Sequence, residues 1–126
     1  MTKLRIRSGN VIIRAEFLDT ATAQAIQKVL PLCSQAQTWG KEVYFEVPVR
    51  ADLEPDAKSI VEAGEIAFWV QGSCIAIGFG RTPISIGDEI RLAARTNIWA
   101  RTQDDVRQLT SVTDGDLIFV EADPKP

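Results

Sequence analysis

The feature that most restricts how this chain folds is a pair of apolar runs, Glu65-Ile66-Ala67-Phe68-Trp69-Val70 and Cys74-Ile75-Ala76-Ile77-Gly78-Phe79, separated only by Gln71-Gly72-Ser73. Each run is too short for a buried helix, and turn-forming residues lie between them, so the pair predicts a β-hairpin. Neither run has the polar alternate positions of a strand that faces water on one side. Two such strands need cover on both faces, which places them at the centre of a closed or doubly covered sheet.

The flanking sequence supplies the remaining strands. Leu4 and Ile6, then Val11, Ile13, Ala15 and Phe17, hold period-two apolar positions around Ser8-Gly9-Asn10, which predicts a first hairpin. Asp19-Thr20 suits a helix N-cap, and Ala25, Ile26, Val29 and Leu30 share one face at helical spacing. A helix is therefore expected over 21–30, stopped by Pro31. Val43, Phe45, Val47 and Val49 alternate with Glu42, Tyr44 and Glu46, a half-buried strand ending near Pro48. The polar stretch from Ala51 to Gly64 reads as a connection with a helical turn near Ala57 to Val61. Ile84 to Ile90 is expected to cross back through a Gly87-Asp88 turn, followed by a strand around Ile98 and Trp99. A short helix at Asp104 to Leu109, a turn at Asp114-Gly115-Asp116 and a last strand over Leu117 to Val120 complete the pattern. Roughly seven or eight short strands in so small a chain favour a closed barrel, because closure removes exposed strand edges. One domain over 1–121 is expected, with 122–126 as a flexible tail.

Composition removes several functions. Fourteen Lys and Arg are interspersed with seventeen Asp and Glu, for a net charge of −3, which argues against a nucleic-acid footprint or a membrane-surface patch. No window has the length or apolarity of a membrane span, and the first residues lack the apolar run of a signal peptide, so a cytoplasmic protein is expected. The chain has no histidine, which removes Ser-His and Cys-His nucleophiles and the common zinc sites; neither a metal nor a cofactor is expected. Cys33 and Cys74 sit in apolar neighbourhoods and read as two reduced, packed thiols.

The residues that remain as site candidates are aromatic or cationic. Trp39, Tyr44, Trp69 and Phe79 are either core and rim packing or the apolar wall of a ligand site. Arg81 and Thr82 either present donors to a carboxylate or carbonyl oxygen of a ligand or serve the local turn, with Arg81 pairing Glu42 or Glu65 in the second case. Glu42 and Glu46 lie on one strand face ~13 Å apart, too far for a glycosidase pair at ~5–9.5 Å. Asp104-Asp105 and Asp114/Asp116 are best explained as a cap and a turn. Ile84, Ile86 and Trp99 read as outward apolar residues that would suit a dimer patch, so monomer and homodimer both stay open.

The order and spacing of Leu30-Pro31 to Trp39-Gly40, Glu42-Val43-Tyr44-Phe45, Gly64-Glu65-Ile66-Ala67-Phe68-Trp69, Gly72 and Phe79-Gly80-Arg81-Thr82-Pro83 with Ser85 resemble the small prokaryotic cyclophilin-like barrel family, over about Leu4 to Val120. That resemblance implies an eight-stranded closed barrel with the helix after the first hairpin plugging one mouth. It implies no established activity. The reading that follows is a module binding a small organic ligand or a short peptide segment through its open face. A second reading is a prolyl isomerase, or another amide-directed enzyme, in which Arg81 would act against the ~18–20 kcal/mol barrier to peptide-bond rotation. True cyclophilins carry that arginine in a Phe-His-Arg context, and this chain has no such histidine. A third reading is a regulatory or assembly partner of an amide-hydrolysing metabolic enzyme, by analogy of fold.

Overall fold

The computed structural model describes residues 3–123. Strands β1 (Lys3–Ser8) and β2 (Val11–Phe17) form the first hairpin about Gly9, whose φ of 57° suits the tight reversal. Helix α1 (Ala21–Gln27) follows, capped by the Thr20 hydroxyl, which accepts from the Ala23 amide at 3.0 Å. It ends three residues before the expected Leu30, consistent with the clash that keeps the residue preceding Pro31 out of helical geometry. Its buried face is Thr22, Ala23 and Ile26; Ala25, Val29 and Leu30 are only partly covered.

The chain then runs through β3 (Leu32–Gln35), β4 (Gln37–Thr38), β5 (Glu42–Glu46), β6 (Lys58–Val61), β7 (Glu65–Trp69), β8 (Cys74–Gly78), β9 (Ile90–Arg101), a 3-10 helix (Val106–Ser111) and β10 (Leu117–Ala122). Neighbours in the antiparallel sheet follow the order β3, β10, β1, β2, β9, β7, β8, β5, β4. Because β3 and β4 are the two ends of one segment bent at the buried Ala36, the order returns to its start and the barrel closes there. Nine strands lie on this path, one more than the eight expected, because the bend at Ala36 splits one segment into β3 and β4; β6 lies off the path on β9.

Side chains alternate across this wall. Val43 and Phe45, Ile66 and Phe68, and Ile75 and Ile77 point inward and join Leu4, Ile6, Ile13, Ile26, Ile118 and Val120 in the main core. Ala67 and Ala76 point outward, yet are as buried, because β6 and the first half of β9 lie over them and bring Val61, Ile90 and Leu92. This outer cover is why both runs of the central hairpin are apolar on both faces.

Five sequence expectations are corrected. Ala57 to Val61 is mostly strand rather than a helical turn, because β9 offers it a partner. Ile84 to Glu89 is loop, and one continuous strand begins at Ile90. Trp99 is fully buried rather than outward. Between the pairs Ile66↔Ala100 and Ala67↔Ile98, β7 advances one residue and β9 two, so Trp99 is an unpaired bulge residue. Such bulges re-aim side chains; here the ring lies 5.7 Å from that of Phe17, and its N–H donates to the Ala67 carbonyl. Cys33 is exposed, since β3 turns it outward at the barrel surface, while Cys74 is buried; both thiols are free. At the C-terminus, Ala122 belongs to β10 and the Asp123 amide donates to the Lys3 carbonyl at 2.9 Å, so the sheet takes in the first two residues of the expected tail; 124–126 lie outside the described residues.

A buried polar network ties α1 to the long connection before β6. Asn97 donates to the Thr22 hydroxyl at 3.0 Å and to the Asp52 carbonyl at 2.8 Å and accepts from the Glu54 amide at 2.9 Å. Thr22 in turn donates its amide and hydroxyl to the Glu54 carboxylate. No helix among the described residues is long and apolar enough to cross a membrane.

Candidate functional site

The outer cover does not fit the wall everywhere. From Lys58↔Thr96 to Ile60↔Arg91, β6 advances two residues while β9 advances five, so Leu92, Ala93, Ala94 and Arg95 face Ser59 alone. The surplus makes β9 arch away from the barrel. Beneath the arch is a cavity of about 160 Å³, lined by Leu92, Ala93, Ala94 and Thr96 from β9 and by Trp39, Glu42, Tyr44, Trp69 and Ala76 from the wall. A dry cavity of about 150 Å³ holds one benzene-sized molecule. The site therefore lies on the outside of the wall, not at the open end of the barrel.

Period two explains which wall residues reach it. Glu42 and Tyr44 on β5, Trp69 on β7 and Ala76 on β8 all have the outward phase. Trp39 comes from the β4–β5 turn, where its amide donates to the Glu42 carbonyl at 3.0 Å. Trp39, Tyr44 and Trp69 are half-buried and form the rim, whereas Glu42, Ala76, Leu92 and Thr96 are buried and form the floor. Trp69 is held by Gly72: a Cβ there would lie 2.3 Å from the indole Cε3, so the ring packs directly on the glycine backbone.

The polar atoms of the lining are few. The Tyr44 hydroxyl donates to Gln37 Oε1 at 3.1 Å, and the Thr96 hydroxyl donates to the Lys58 carbonyl at 2.9 Å. Glu42 is 6% exposed and makes no side-chain hydrogen bond or ion pair among the described residues. Burial with nothing to offset it pushes its carboxyl up to about 7, because desolvation penalises the charged form. The nearby Cys74 thiol is pushed up to about 11, by burial first and then by the charges of Glu46 and Glu42. A carboxyl that titrates near neutrality can take or give a proton at physiological pH.

Of the six residues selected from sequence, the structure brings Trp39, Tyr44 and Trp69 together around the cavity. The other three lie elsewhere. Phe79 is partly buried against the main core. The Arg81 guanidinium donates to the Gly87 carbonyl and, at 3.4 Å, to the Ser85 carbonyl. Thr82 is 4% exposed; its amide donates to Ser85 Oγ at 2.9 Å and its hydroxyl to the Arg91 carbonyl. Arg81 and Thr82 thus brace their own loop. Sequence reasoning weighed Glu42 only as half of a glycosidase pair or as a partner of Arg81, and it did not reach the β9 residues. The signal for Glu42 was its shared phase with Tyr44 beside two doubly covered strands; the arch in β9 left no local signature.

A family model described as cyclophilin-like matches residues 2–121. The chain belongs to the cyclophilin-like family. Among solved structures, the solution structure of a hypothetical protein from Archaeoglobus fulgidus is 36% identical, with a TM-score of 0.81, over 95% of this chain and 93% of that one. A structure of McbB in complex with tryptophan shares the fold at 10% identity and a TM-score of 0.63, over 98% of this chain and 45% of that chain. A search of curated proteins found no match.

Proposed function

We propose that this cyclophilin-like barrel is a binding module for a small organic molecule, held by an apolar or aromatic group of about benzene size in the cavity beneath β9. The observation that carries this reading is the cavity itself, with three aromatic rings at its rim and, at its floor, the carboxyl of the buried residue Glu42, which has no side-chain partner among the described residues. Small-molecule sites have this composition: mainly apolar walls and a few polar groups that fix orientation. The expectation that Arg81 and Thr82 would grip a ligand carboxylate is replaced, since neither lines the cavity and the ionisable group present is an acid. The isomerase reading loses support for the same reason, because Arg81 was its candidate arginine.

The test is a thermal-shift and heteronuclear NMR screen with single-ring aromatic fragments carrying amine, alcohol, amide or carboxylate groups. A ligand of the folded state raises apparent stability. Binding fragments are expected to perturb Trp39, Tyr44 and Trp69 and to lose affinity at least tenfold in Trp69→Ala, a half-buried rim residue, with the NMR spectrum of the variant showing whether it is folded. Arg81→Ala serves as the control and leaves fragment binding unchanged. Perturbations confined to the Arg81 loop, or none at millimolar fragment, would sink the reading.

A further inference from the structure

The polarity of the cavity narrows its ligand further, and this step rests on the reading above. We propose that the cavity takes a protonated amine, an arylalkyl- or alkylammonium group whose N–H donors meet the Glu42 carboxylate while its apolar part lies against Trp39, Tyr44 and Trp69.

Three observations support this. First, among the described residues no lysine or arginine lines the cavity, and Glu42 is its only acid. An anion would meet like charge, whereas a cation would supply the partner that Glu42 lacks. Second, the hydroxyl protons of Tyr44 and Thr96 are already donated to Gln37 and to the Lys58 carbonyl, so these groups offer lone pairs. An ionised carboxylate is likewise acceptor-only. With Glu42 ionised, the lining side-chain donors are the two indole N–H groups of the rim, so a ligand polar group reaching the floor then meets acceptors and must be a donor. Third, aromatic faces carry the negative end of the ring quadrupole and attract ammonium groups, most strongly where water is reduced.

The charges around Glu42 do not compete with such a ligand. On its own strand Tyr44 shares the cavity and Glu46 is exposed; from β8, Cys74 faces it as a thiol. From β9, Arg91 is paired with Glu89, and Arg95 donates to the Ala57 carbonyl. The neighbouring Lys41 is exposed and lays its stem on Gly80. Since burial holds Glu42 near 7, a cationic ligand must displace its proton below that pH. Affinity then rises with pH, about tenfold between pH 6 and pH 8, with about half a proton released per ligand at pH 7.

Calorimetry with benzylamine, benzyl alcohol and benzoate, three probes of similar shape and different charge, tests the inference. At pH 8 benzylamine is expected to bind at least tenfold more tightly than benzyl alcohol, with benzoate weakest, and at pH 7 its binding heat should vary with buffer as release of about half a proton requires. Glu42→Gln is expected to bring benzylamine down to the level of benzyl alcohol and to flatten its pH profile, with retained alcohol binding showing the cavity intact. Should that variant fail to fold, the wild-type pH profile and proton count decide alone. Equal or tighter binding of the alcohol or benzoate at pH 8 overturns the amine class and leaves the cavity reading standing. A benzylamine preference with no pH dependence overturns the role given to Glu42. No binding by any of the three at millimolar concentration overturns both.

Discussion

Glu42 and Glu65 are both strand residues, both 6% exposed, and they behave in opposite ways. Burial pushes the Glu65 carboxyl up, but more than that is offset. Lys58 Nζ donates to it at 2.8 Å, the Glu62 amide at 2.8 Å, and Arg101 stands 3.6 Å away, which together hold it below the usual carboxylate range. Glu42 has the burial and none of the partners, so it sits at about 7. Burial alone therefore does not separate a paired carboxyl from an open one. The separation comes from whether the protein has already supplied the counter-charge, and at Glu42 it has left that place to a cavity.

The largest effect that would break this contrast is in the pH dependence of stability. An acid whose folded pKa is raised binds more protons in the folded than in the unfolded state between the two values, so stability falls as pH rises from about 4.5 to about 7. Glu65, with a lowered folded pKa, has the opposite sign: its contribution is present above the unfolded value and lost as pH falls through the folded one. Glu42→Gln should remove only the first effect. In urea unfolding, the stability of Glu42→Gln relative to wild type is expected to improve by roughly 3 kcal/mol between pH 4.5 and pH 8. A pH-independent difference would show that Glu42 ionises normally.

Removing a partner of Glu65 should cost less. Lys58→Met leaves a buried carboxylate with the Glu62 amide and the more distant Arg101 alone, and since the lysine side chain is 39% exposed, a loss of about 1–2 kcal/mol at pH 7 is expected. The loss should shrink at acid pH, where Glu65 takes a proton, and adding Glu65→Gln to Lys58→Met should recover part of it. An equal loss at all pH values would mean that only the packing of the lysine stem had been removed.

The smallest expected effect sharpens the cavity side. Gly72→Ala places a methyl against the Trp69 ring and must displace it. A cost of about 1 kcal/mol is expected, with a shift in tryptophan emission and weaker fragment binding. Unchanged emission and affinity would show that the position of the Trp69 ring does not shape the site.

These contrasts also mark how far the sequence could be read. The β1–β2 and β7–β8 hairpins were legible because period two and turn residues are local signals, and so was the phase that puts Glu42 with Tyr44. Lys58–Val61 was not, because a four-residue polar strand exists only where β9 pairs with it. Trp99 was misplaced because a bulge in β9 shifts the phase midway along the strand. Arg81 and Thr82 drew notice as donors, but the oxygens they satisfy belong to Ser85, Gly87 and Arg91, a loop closure that sequence spacing does not show.

The chain by itself determined the hairpins, the apolar inner face of the flanking strands and the shared phase of Tyr44 and Glu42, since each follows from turn residues or from alternation along single strands. Only the tertiary structure decided that their shared face is covered, that β9 arches over it with residues to spare, and that one buried glutamate is paired while the other is left open. Cover, register and counter-charge come from segments far apart in the chain, and no local pattern encodes which of them will meet.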